Sequence, residues 1–210
     1  HVLIRDVVYN NIPRARRSQA HAQLALWLEE RTAGRAEQFV ELLAYHYQQA
    51  LANWSTTIGP DLSRPAPMYR QGGVGLAPNA ENETPSQVQL SRAELRNRAI
   101  HYLTMAGDQA LHSYYTIRAI QAYSEALDLL EDSNTDALTL GRMHDKLGNA
   151  YAQRANLDEA WQEYRQALQL MQEAPESELG EQKAKSETLL CLYERLAELP
   201  TRWAGWFNNE

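Results

Sequence analysis

A helical pattern that occurs twice between residues 97 and 173 constrains the fold of this chain more than any other feature. One constant step, from position 107 to position 148, relates the two copies at every matched position. The first half of the copies reads Ala99-Leu103-Ala106-Gly107-Ala110 and Leu140-His144-Leu147-Gly148-Tyr151. The second half reads Ala119-Tyr123-Ala126-Leu127 and Ala160-Tyr164-Ala167-Leu168. Apolar residues at i, i+4 and i+7 lie on one helix face, so each half predicts a helix.

The spacing inside each copy predicts a pair of antiparallel helices. The interval from Gly107 to Ala119 equals the interval from Gly148 to Ala160, and it leaves room for the end of one helix, a tight turn and the start of the next. We expect the small residues to lie where the two helices approach most closely, with a tyrosine filling the space beside them. A single helical hairpin cannot bury its own apolar face, so the hairpins are expected to stack on their neighbours. The predicted fold class is all-α.

The second copy resembles the tetratricopeptide repeat in the motif Leu147-Gly148-x-x-Tyr151, Leu157-x-x-Ala160-x-x-x-Tyr164-x-x-Ala167-Leu168 and Pro175. Ala155 stands where that family usually has Gly. In the first copy, which is more degenerate, Ala110 stands where Tyr is usual. The family period is about 34 residues, so the longer step in this chain implies extra helical turns or a longer connector. The resemblance implies a right-handed superhelix of αα-hairpins, with a generic array of helical hairpins as the alternative. Asn156 is predicted to cap the second helix, with Glu159 as its capping-box partner.

The overall composition is typical of a soluble protein of one large or two small domains, with 210 residues and 44% hydrophobic residues. The formal net charge of −7 argues against a dedicated nucleic-acid surface. No apolar run of transmembrane length and no signal peptide occur, so we expect a cytoplasmic protein without a membrane partner. Cys191 is the only cysteine, which excludes an internal disulfide, and its leucine neighbours predict a small buried core residue. Because the chain lacks an initiator Met, we expect a piece of a longer protein.

Three helices are predicted before residue 52. The first covers His1–Asn11, and Pro13 suits the opening of the second, which should end near Arg31. The second helix is expected to bury Leu24, Trp27 and Leu28. The third carries an apolar stripe at Phe39, Leu42, Leu43, His46 and Ala50.

This region resembles the junction between the ATPase module and the repeat array of bacterial STAND-type signalling ATPases, which are often fused to cyclase, kinase or DNA-binding domains. The similarity lies in His1-x-Leu3-Ile4-Arg5-Asp6-Val7-x-Tyr9, Arg14-x-Arg16-Arg17-x-x-x-His21 and Glu41-Leu42-Leu43-Ala44-Tyr45-His46-Tyr47-x-x-Ala50. It implies that residues 1–34 end a winged-helix domain and that residues 35–51 form the first helix of the array. His1 would match the histidine that senses the nucleotide's β-phosphate, although Val2 replaces the usual Asp after it.

Residues 52–94 interrupt the helical pattern. Five of the eight prolines and four of the ten glycines fall between residues 59 and 85, which predicts a flexible insert that is a passive spacer, or alternatively a lid or partner-binding segment. Two repeats are predicted over residues 95–175. Residues 176–210 are interpreted as a truncated third repeat or a cap, in which a helix over 181–199 places on one face Leu189, Leu192, Leu196 and Leu199.

The sequence carries no motif for catalysis or for a cofactor. Phosphate-binding loops, the dinucleotide fingerprint, the zinc motif His-Glu-x-x-His and the esterase elbow are all absent, so we expect no enzyme activity and no cofactor. Asp132-x-Asn134-x-Asp136 resembles the start of a calcium loop but lacks its turn glycine and final Glu, which favours an acidic connector. The histidines lack metal-ligand spacing, and we expect His21 and His46 to be hydrogen-bonded packing residues.

The remaining candidate site is the concave face that the repeat resemblance implies along the first helix of each hairpin. Its predicted lining is His101, Thr104, Asp108, His112, Arg142, Asp145, Asn149 and Gln153. Asp108 and Asp145 would repel a peptide's terminal carboxylate, and a plain solvated face is the alternative to a binding site. The main hypothesis is a non-catalytic scaffold or sensor segment that binds a protein, a peptide, a small effector or other domains of its parent. The alternative is a DNA-binding activator arm that uses the basic helix with Arg14, Arg16 and Arg17.

Overall fold

The computed structural model describes residues 2–32, 34–55, 90–132, 135–174 and 186–199, and within them every regular element is a helix. The predicted all-α class is therefore confirmed for this part of the chain. The α-helices are α1 (Val2–Asn11), α2 (Arg14–Arg31), α3 (Val40–Ala52), α4 (Arg92–His112), α5 (Thr116–Glu131), α6 (Ala137–Gln153), α7 (Leu157–Glu173) and α8 (186–199), with a 3-10 turn at Ala36–Phe39 before α3.

The chain forms two compact units that do not follow the order of the sequence. The first contains His1–Ala36 and Tyr45–Asn97, and the second contains Glu37–Ala44 and Arg98–Glu210. Helices α3 and α4 each contribute residues to both units. The predicted segment boundaries at residues 34 and 94 rest on sequence composition, whereas the two units are defined by packing. The units therefore do not test these boundaries, which stay predictions.

In the first unit, small residues let α2 and α3 pack closely. Ser18, Ala22 and Ala25 are the buried residues of α2, and the Ser18 hydroxyl donates a hydrogen bond of 2.6 Å to the carbonyl of Ala50. One turn earlier, the Arg14 guanidinium donates to the carbonyl of Ala52 at 2.8 Å. Both carbonyls lie at the end of α3, where helical acceptors lack intrahelical partners, so these side chains complete its hydrogen bonding.

Two predicted apolar faces in this region are wrong by a rotation about the helix axis. Leu24 and Trp27 were expected to be buried, but 41% and 52% of their surfaces are exposed. On α3, Leu43 and Ala50 are buried as predicted, but Leu42 is 42% exposed, and the buried stripe is completed by Val40, Ala44 and Tyr47. Pro13 occupies the N-cap position of α2 and not its first turn.

Helix α4 begins with a capping box that the sequence analysis missed. The Ser91 hydroxyl accepts from the backbone N–H of Glu94 at 3.2 Å, and the Glu94 carboxylate accepts from the backbone N–H of Ser91 at 2.7 Å. Ser-x-x-Glu is the usual sequence signature of this motif. The helix therefore starts before residue 95, and Leu90 is already buried. Residues 56–89, which make up most of the predicted insert, lie outside the described residues.

In the second unit, the predicted crossings between small residues and tyrosines are present in both copies. A Cβ placed on Gly148 would lie 2.7 Å from the ring of Tyr164, and one placed on Gly107 would overlap the ring of Tyr123. Both tyrosines are almost fully buried. Helices α6 and α7 are antiparallel, because Gly148, late in α6, meets Tyr164 in the middle of α7, while Gly141, early in α6, meets Met171 near the end of α7.

The turns inside the two hairpins have the same backbone geometry. Tyr114 has φ 61° and Ala155 has φ 63°, and these two positions are related by the repeat step. After each, a backbone N–H returns to a carbonyl in the last turn of the preceding helix, from Tyr115 to Ala110 at 2.8 Å and from Asn156 to Tyr151 at 3.0 Å. Such a 6→1 bond is typical of the Schellman motif, whose left-handed position favours glycine. Ala155 therefore adopts the conformation that a glycine would adopt without strain.

The starts of α6 and α7 are capped differently. Asp136 caps α6, with its Oδ1 accepting from the backbone N–H of Thr139 at 2.8 Å and its Oδ2 accepting from the Thr139 hydroxyl at 2.7 Å. Part of the acidic connector thus serves as a helix cap. Asn156 does occupy the N-cap position of α7, but its side chain accepts no cap hydrogen bond. The predicted capping box with Glu159 is therefore wrong.

Helix α8 packs its predicted leucine face against α7. Leu192 and Leu199 are buried in one cluster with Ala160, Tyr164, Ala167 and Met171, and Leu189 and Leu196 pack at its edge. Cys191 was predicted to be buried but is exposed, because it lies one residue, or about 100° of helix rotation, from the buried Leu192. The preceding residues 175–185 and the following 200–210 lie outside the described residues.

We predict that Gly148→Ala lowers the free energy of unfolding by about 1–3 kcal/mol, because the added methyl group overlaps the buried ring of Tyr164. Alanine is favoured over glycine in a helix by about 1 kcal/mol, so the loss appears in spite of helix propensity. Arg142→Ala, which places an alanine at an exposed position of the same helix, is the control. Equal losses in urea unfolding would contradict a rigid crossing at Gly148.

A second prediction concerns the pH dependence of the α6 cap. The hydrogen bond from the Thr139 side chain lowers the pKa of Asp136 below its ordinary value of 3.8, with further help from the backbone N–H of Thr139. The stability from the ionised cap is present above that ordinary value and is lost as pH falls through the lowered pKa. Asp136→Asn should cost about 0.3–1 kcal/mol near neutral pH, and the difference from wild type should vanish near pH ~2. Asp132→Asn, in the same connector, is the control. A difference that persists in acid would contradict this role.

Candidate functional site

The two hairpins of the second unit hold their tyrosine hydroxyls in the same way. Tyr123 donates to Asp108 Oδ1 at 2.6 Å, and Tyr164 donates to Asn149 Oδ1 at 2.9 Å. The acceptors, like the tyrosines, are related by the repeat step. Each acceptor directly follows the crossing glycine, so the close approach of the helices also brings the hydroxyl within reach. Burial, and then the hydrogen bond to Asp108 and its charge, raise the pKa of Tyr123 far above its ordinary value.

A cation from the next helix in the stack lies over each of these tyrosine rings. Lys146 Nζ on α6 is 5.8 Å from the ring centre of Tyr123, and Arg195 Cζ on α8 is 5.8 Å from that of Tyr164. This distance is within the usual range for attraction between a cation and an aromatic ring. The arrangement links each hairpin to the helix that follows it.

The same two cations form ion pairs with acidic residues of the predicted groove. Lys146 contacts Asp108 Oδ1, and Arg195 contacts Asp145 Oδ1. The side chain of Asp145 is 17% exposed and that of Asp108 is 40% exposed. The Asp145 pair is therefore less screened by water than the Asp108 pair. Both carboxylates, which were expected to repel an acidic ligand, are thus neutralised locally.

A cavity of about 370 Å³ opens beside Arg195, where the ends of α4, α6 and α8 meet α7. It is lined by the apolar side chains of Leu111, Ala152 and Leu199, by the polar or charged side chains of Asn149, Gln153, Arg195 and Glu198, and by Tyr164. The side chains of Asn149 and Gln153 lie one helical turn apart on α6. The Asn149 carbonyl oxygen accepts from Tyr164, which leaves its Nδ2 group as a donor for a ligand.

The predicted groove residues divide into four groups. Asn149 and Gln153 line the cavity, whereas Asp108 and Asp145 are engaged by lysine and arginine as described. Thr104 and His112 bond to the backbone of their own helix, at 2.8 Å from the carbonyls of Ile100 and Asp108. His101 and Arg142 are exposed. His1, the proposed nucleotide sensor, lies outside the described residues.

A separate polar contact joins the two helices of the second hairpin. His144 Nδ1 lies 2.7 Å from Glu163 Oε2, and only 10% of the histidine side chain is exposed. Beside it, burial and then the charges of Glu163 and Glu159 raise the pKa of Tyr151. This contact holds α6 against α7 on a side of the hairpin that does not line the cavity.

Sequence analysis missed the contributions of α8 and Lys146 to this site. Arg195 lies between Leu192 and Leu196, on the edge of the leucine face, and long basic side chains at such edges can cover a neighbouring aromatic ring. The position of Arg195 at the edge of this face was the signal in the sequence from which its contact with an aromatic ring could have been predicted. In the described residues, no group of three or more His, Cys, Asp or Glu side chains is arranged to hold a metal ion.

The chain matches no protein-family model, no curated protein and no solved structure. None of the helices in the described part of the chain is long and apolar enough to cross a membrane. Function therefore has to be inferred from the geometry and chemistry of the chain's own residues.

We predict that the two tyrosine hydroxyls contribute unequally to stability. Tyr123 donates to a carboxylate and Tyr164 to a neutral amide, and hydrogen bonds to charged groups contribute more. Tyr123→Phe should lower the free energy of unfolding by about 1–2 kcal/mol and Tyr164→Phe by about 0.5–1 kcal/mol. The ring is kept in both variants, so each serves as the control for the other in urea unfolding. Equal losses, or the reverse order, would contradict the assigned partners.

Proposed function

We propose that this chain is a non-catalytic protein-interaction scaffold built from tetratricopeptide-like hairpins, which binds an extended peptide segment of a partner protein in the cavity beside Arg195. The observation that carries the proposal is the pair of side-chain amides at Asn149 and Gln153. Both line the same cavity, whose lining also includes the apolar side chains of Leu111, Ala152 and Leu199. Polar groups placed around an apolar cavity are typical of ligand sites.

The spacing of the two amides fits the repeat of an extended backbone. Residues four apart on a helix are about 6 Å apart along its axis, and alternate residues of an extended peptide are about 6.6 Å apart. Asn149 and Gln153 can therefore hydrogen-bond peptide groups two residues apart. The side chain between them would point into the cavity, against Leu111, Ala152 and Leu199.

The charges around the cavity favour a peptide backbone over a terminal carboxylate. Arg195 is the nearest cation, but it already contacts Asp145, and Glu198 adds a negative charge to the same lining. A free carboxylate would meet that charge with only a shared arginine as its partner. An uncharged segment with an apolar side chain meets no such penalty.

The DNA-binding alternative has less support. Arg14 donates to the end of α3, and Arg17 lies over the ring of Tyr9 at 5.0 Å, so both of these arginines have partners within the unit. Because the chain is acidic overall, association with phosphate groups would gain little from long-range electrostatics.

The parent protein that we propose is a bacterial signalling ATPase of the STAND type, in which residues 1–34 would end the winged-helix domain and the rest of this chain would follow it. The support is the sequence similarity of residues 1–50 together with the repeated hairpins that come after it. In such a protein, a bound peptide or a neighbouring domain would act through the repeat array, and nucleotide hydrolysis would be performed elsewhere in the parent.

The experiment is a selection of random peptides on the intact chain, followed by calorimetric titration of the enriched peptides. Gln153→Ala should weaken binding by about 2–10-fold, the equivalent of one hydrogen bond. Gln162→Ala, an exposed glutamine of α7 that does not line the cavity, is the matched control. Failure to enrich peptides, or enriched peptides that bind Gln153→Ala and wild type equally, would contradict the proposed site.

A further inference from the structure

Two histidines form a direct hydrogen bond between α2 and α3 in the first unit. His21 Nδ1 and His46 Nδ1 are 2.9 Å apart, and the ring centres are 5.1 Å apart. The other nitrogen of His21, Nε2, lies 2.9 Å from the hydroxyl of Tyr9 on α1. One histidine therefore connects all three helices of the unit's N-terminal part.

The geometry of these contacts determines how many protons the two histidine rings can hold while the hydrogen bond between them persists. A hydrogen bond between two Nδ1 atoms needs one proton, so one histidine donates and the other accepts. With both rings neutral, Tyr9 can donate to His21 Nε2 while His21 Nδ1 donates to His46. One added proton keeps the central bond, because a charged His46 can donate to a neutral His21 and His21 can donate to Tyr9. A second added proton places a hydrogen on both Nδ1 atoms, and the bond is lost.

Among the described residues, the side chains that contact the two rings or lower their pKa carry no negative charge that could stabilise a doubly protonated pair. The groups recorded against the two rings in the described residues are Tyr9 from α1, Arg17 from α2 and Tyr45 from α3, besides the rings themselves. The tyrosines are neutral near neutral pH, and Arg17 is positive. Two imidazolium ions here would therefore repel each other and the guanidinium.

We propose that the His21–His46 pair is a pH-sensitive latch, which joins α2 to α3 near neutral pH and releases them when both rings become protonated in acid. The contacts of Ser18 and Arg14 with the end of α3 do not titrate in this range, so the release is local. The unit would loosen around residues 21 and 46 and remain attached through Arg14 and Ser18 at the N-terminal end of α2. This device is independent of the peptide site in the second unit.

The direction of the pKa shifts agrees with the geometry. Burial, followed by the charges of His46 and Arg17, lowers the pKa of His21 from its ordinary value of 6.5, and burial lowers the pKa of His46. Below the ordinary value, the unfolded chain binds more protons than the folded one. Stability therefore falls as pH falls from 6.5 towards the lowered pKa values, by up to about tenfold in the unfolding constant per pH unit for each histidine.

The first measurement follows the imidazole signals of the intact wild-type chain by NMR between pH ~8 and pH ~4.5. The expected result is a coupled titration of His21 and His46 below the ordinary value, with two steps. Hydrogen exchange, corrected for its intrinsic pH dependence, should show a loss of protection in α2 and α3 over the second step. Independent titration of the two rings at or above the ordinary value would overturn the proposal.

The second measurement compares His46→Asn with wild type. Asparagine places an amide near the position of Nδ1 and can keep a hydrogen bond to His21, but it cannot become charged. The variant should remain folded and should lose about half or more of the pH dependence of the unfolding constant between pH ~7 and pH ~5. His101→Asn, which replaces an exposed histidine of α4, is the control and should change nothing. An unchanged pH dependence in His46→Asn would also overturn the proposal.

Discussion

The close approach of helices at Gly107 and Gly148 is the constraint on which the second unit depends. A glycine at each crossing lets a buried tyrosine ring lie directly against the facing helix backbone. That approach fixes the position of the tyrosine ring along the facing helix, and this position determines which acceptor its hydroxyl can reach. Asp108 and Asn149 directly follow the two glycines in the sequence. Adjacent residues therefore provide the space for the tyrosine ring and the hydrogen-bond acceptor for its hydroxyl. Protein interiors tolerate neither voids nor unpaired polar groups, and this arrangement avoids both.

The candidate site is a consequence of the same constraint. Tyr164 uses the carbonyl oxygen of Asn149, which orients the amide so that its nitrogen remains for another partner. Arg195 covers the ring from α8 and contacts Asp145, which places a neutralised ion pair at the mouth of the cavity. The polar lining of the cavity is therefore held by the groups that stack one helix on the next. A change that loosens the stacking should also disorder the site.

Features that depend on residue size could be predicted from the sequence. The buried face of a helix could not be predicted where it depends on which helices pack against it. The crossings at Gly107 and Gly148 and the leucine face of α8 were predicted, because few residues fit a tight crossing or an uninterrupted apolar stripe. Leu24 and Trp27 were predicted wrongly, since periodicity indicates a face but not whether large or small residues meet the next helix. The pairing of Asp145 with Arg195 could not be predicted, because those residues meet only through the packing of α8.

The polar contacts of the two units respond differently to protons. In the second unit, the contacts around the tyrosine rings join carboxylates or amides to tyrosine, lysine and arginine, which keep their protons throughout the neutral range. His144 of that unit faces the carboxylate of Glu163 and not a second histidine. In the first unit, the contact between α2 and α3 includes two histidines that share one proton. Mild acid should therefore loosen the first unit and leave the tyrosine-based stacking intact. A chain built in this way can change the packing of one unit without losing the fold that carries the proposed peptide site.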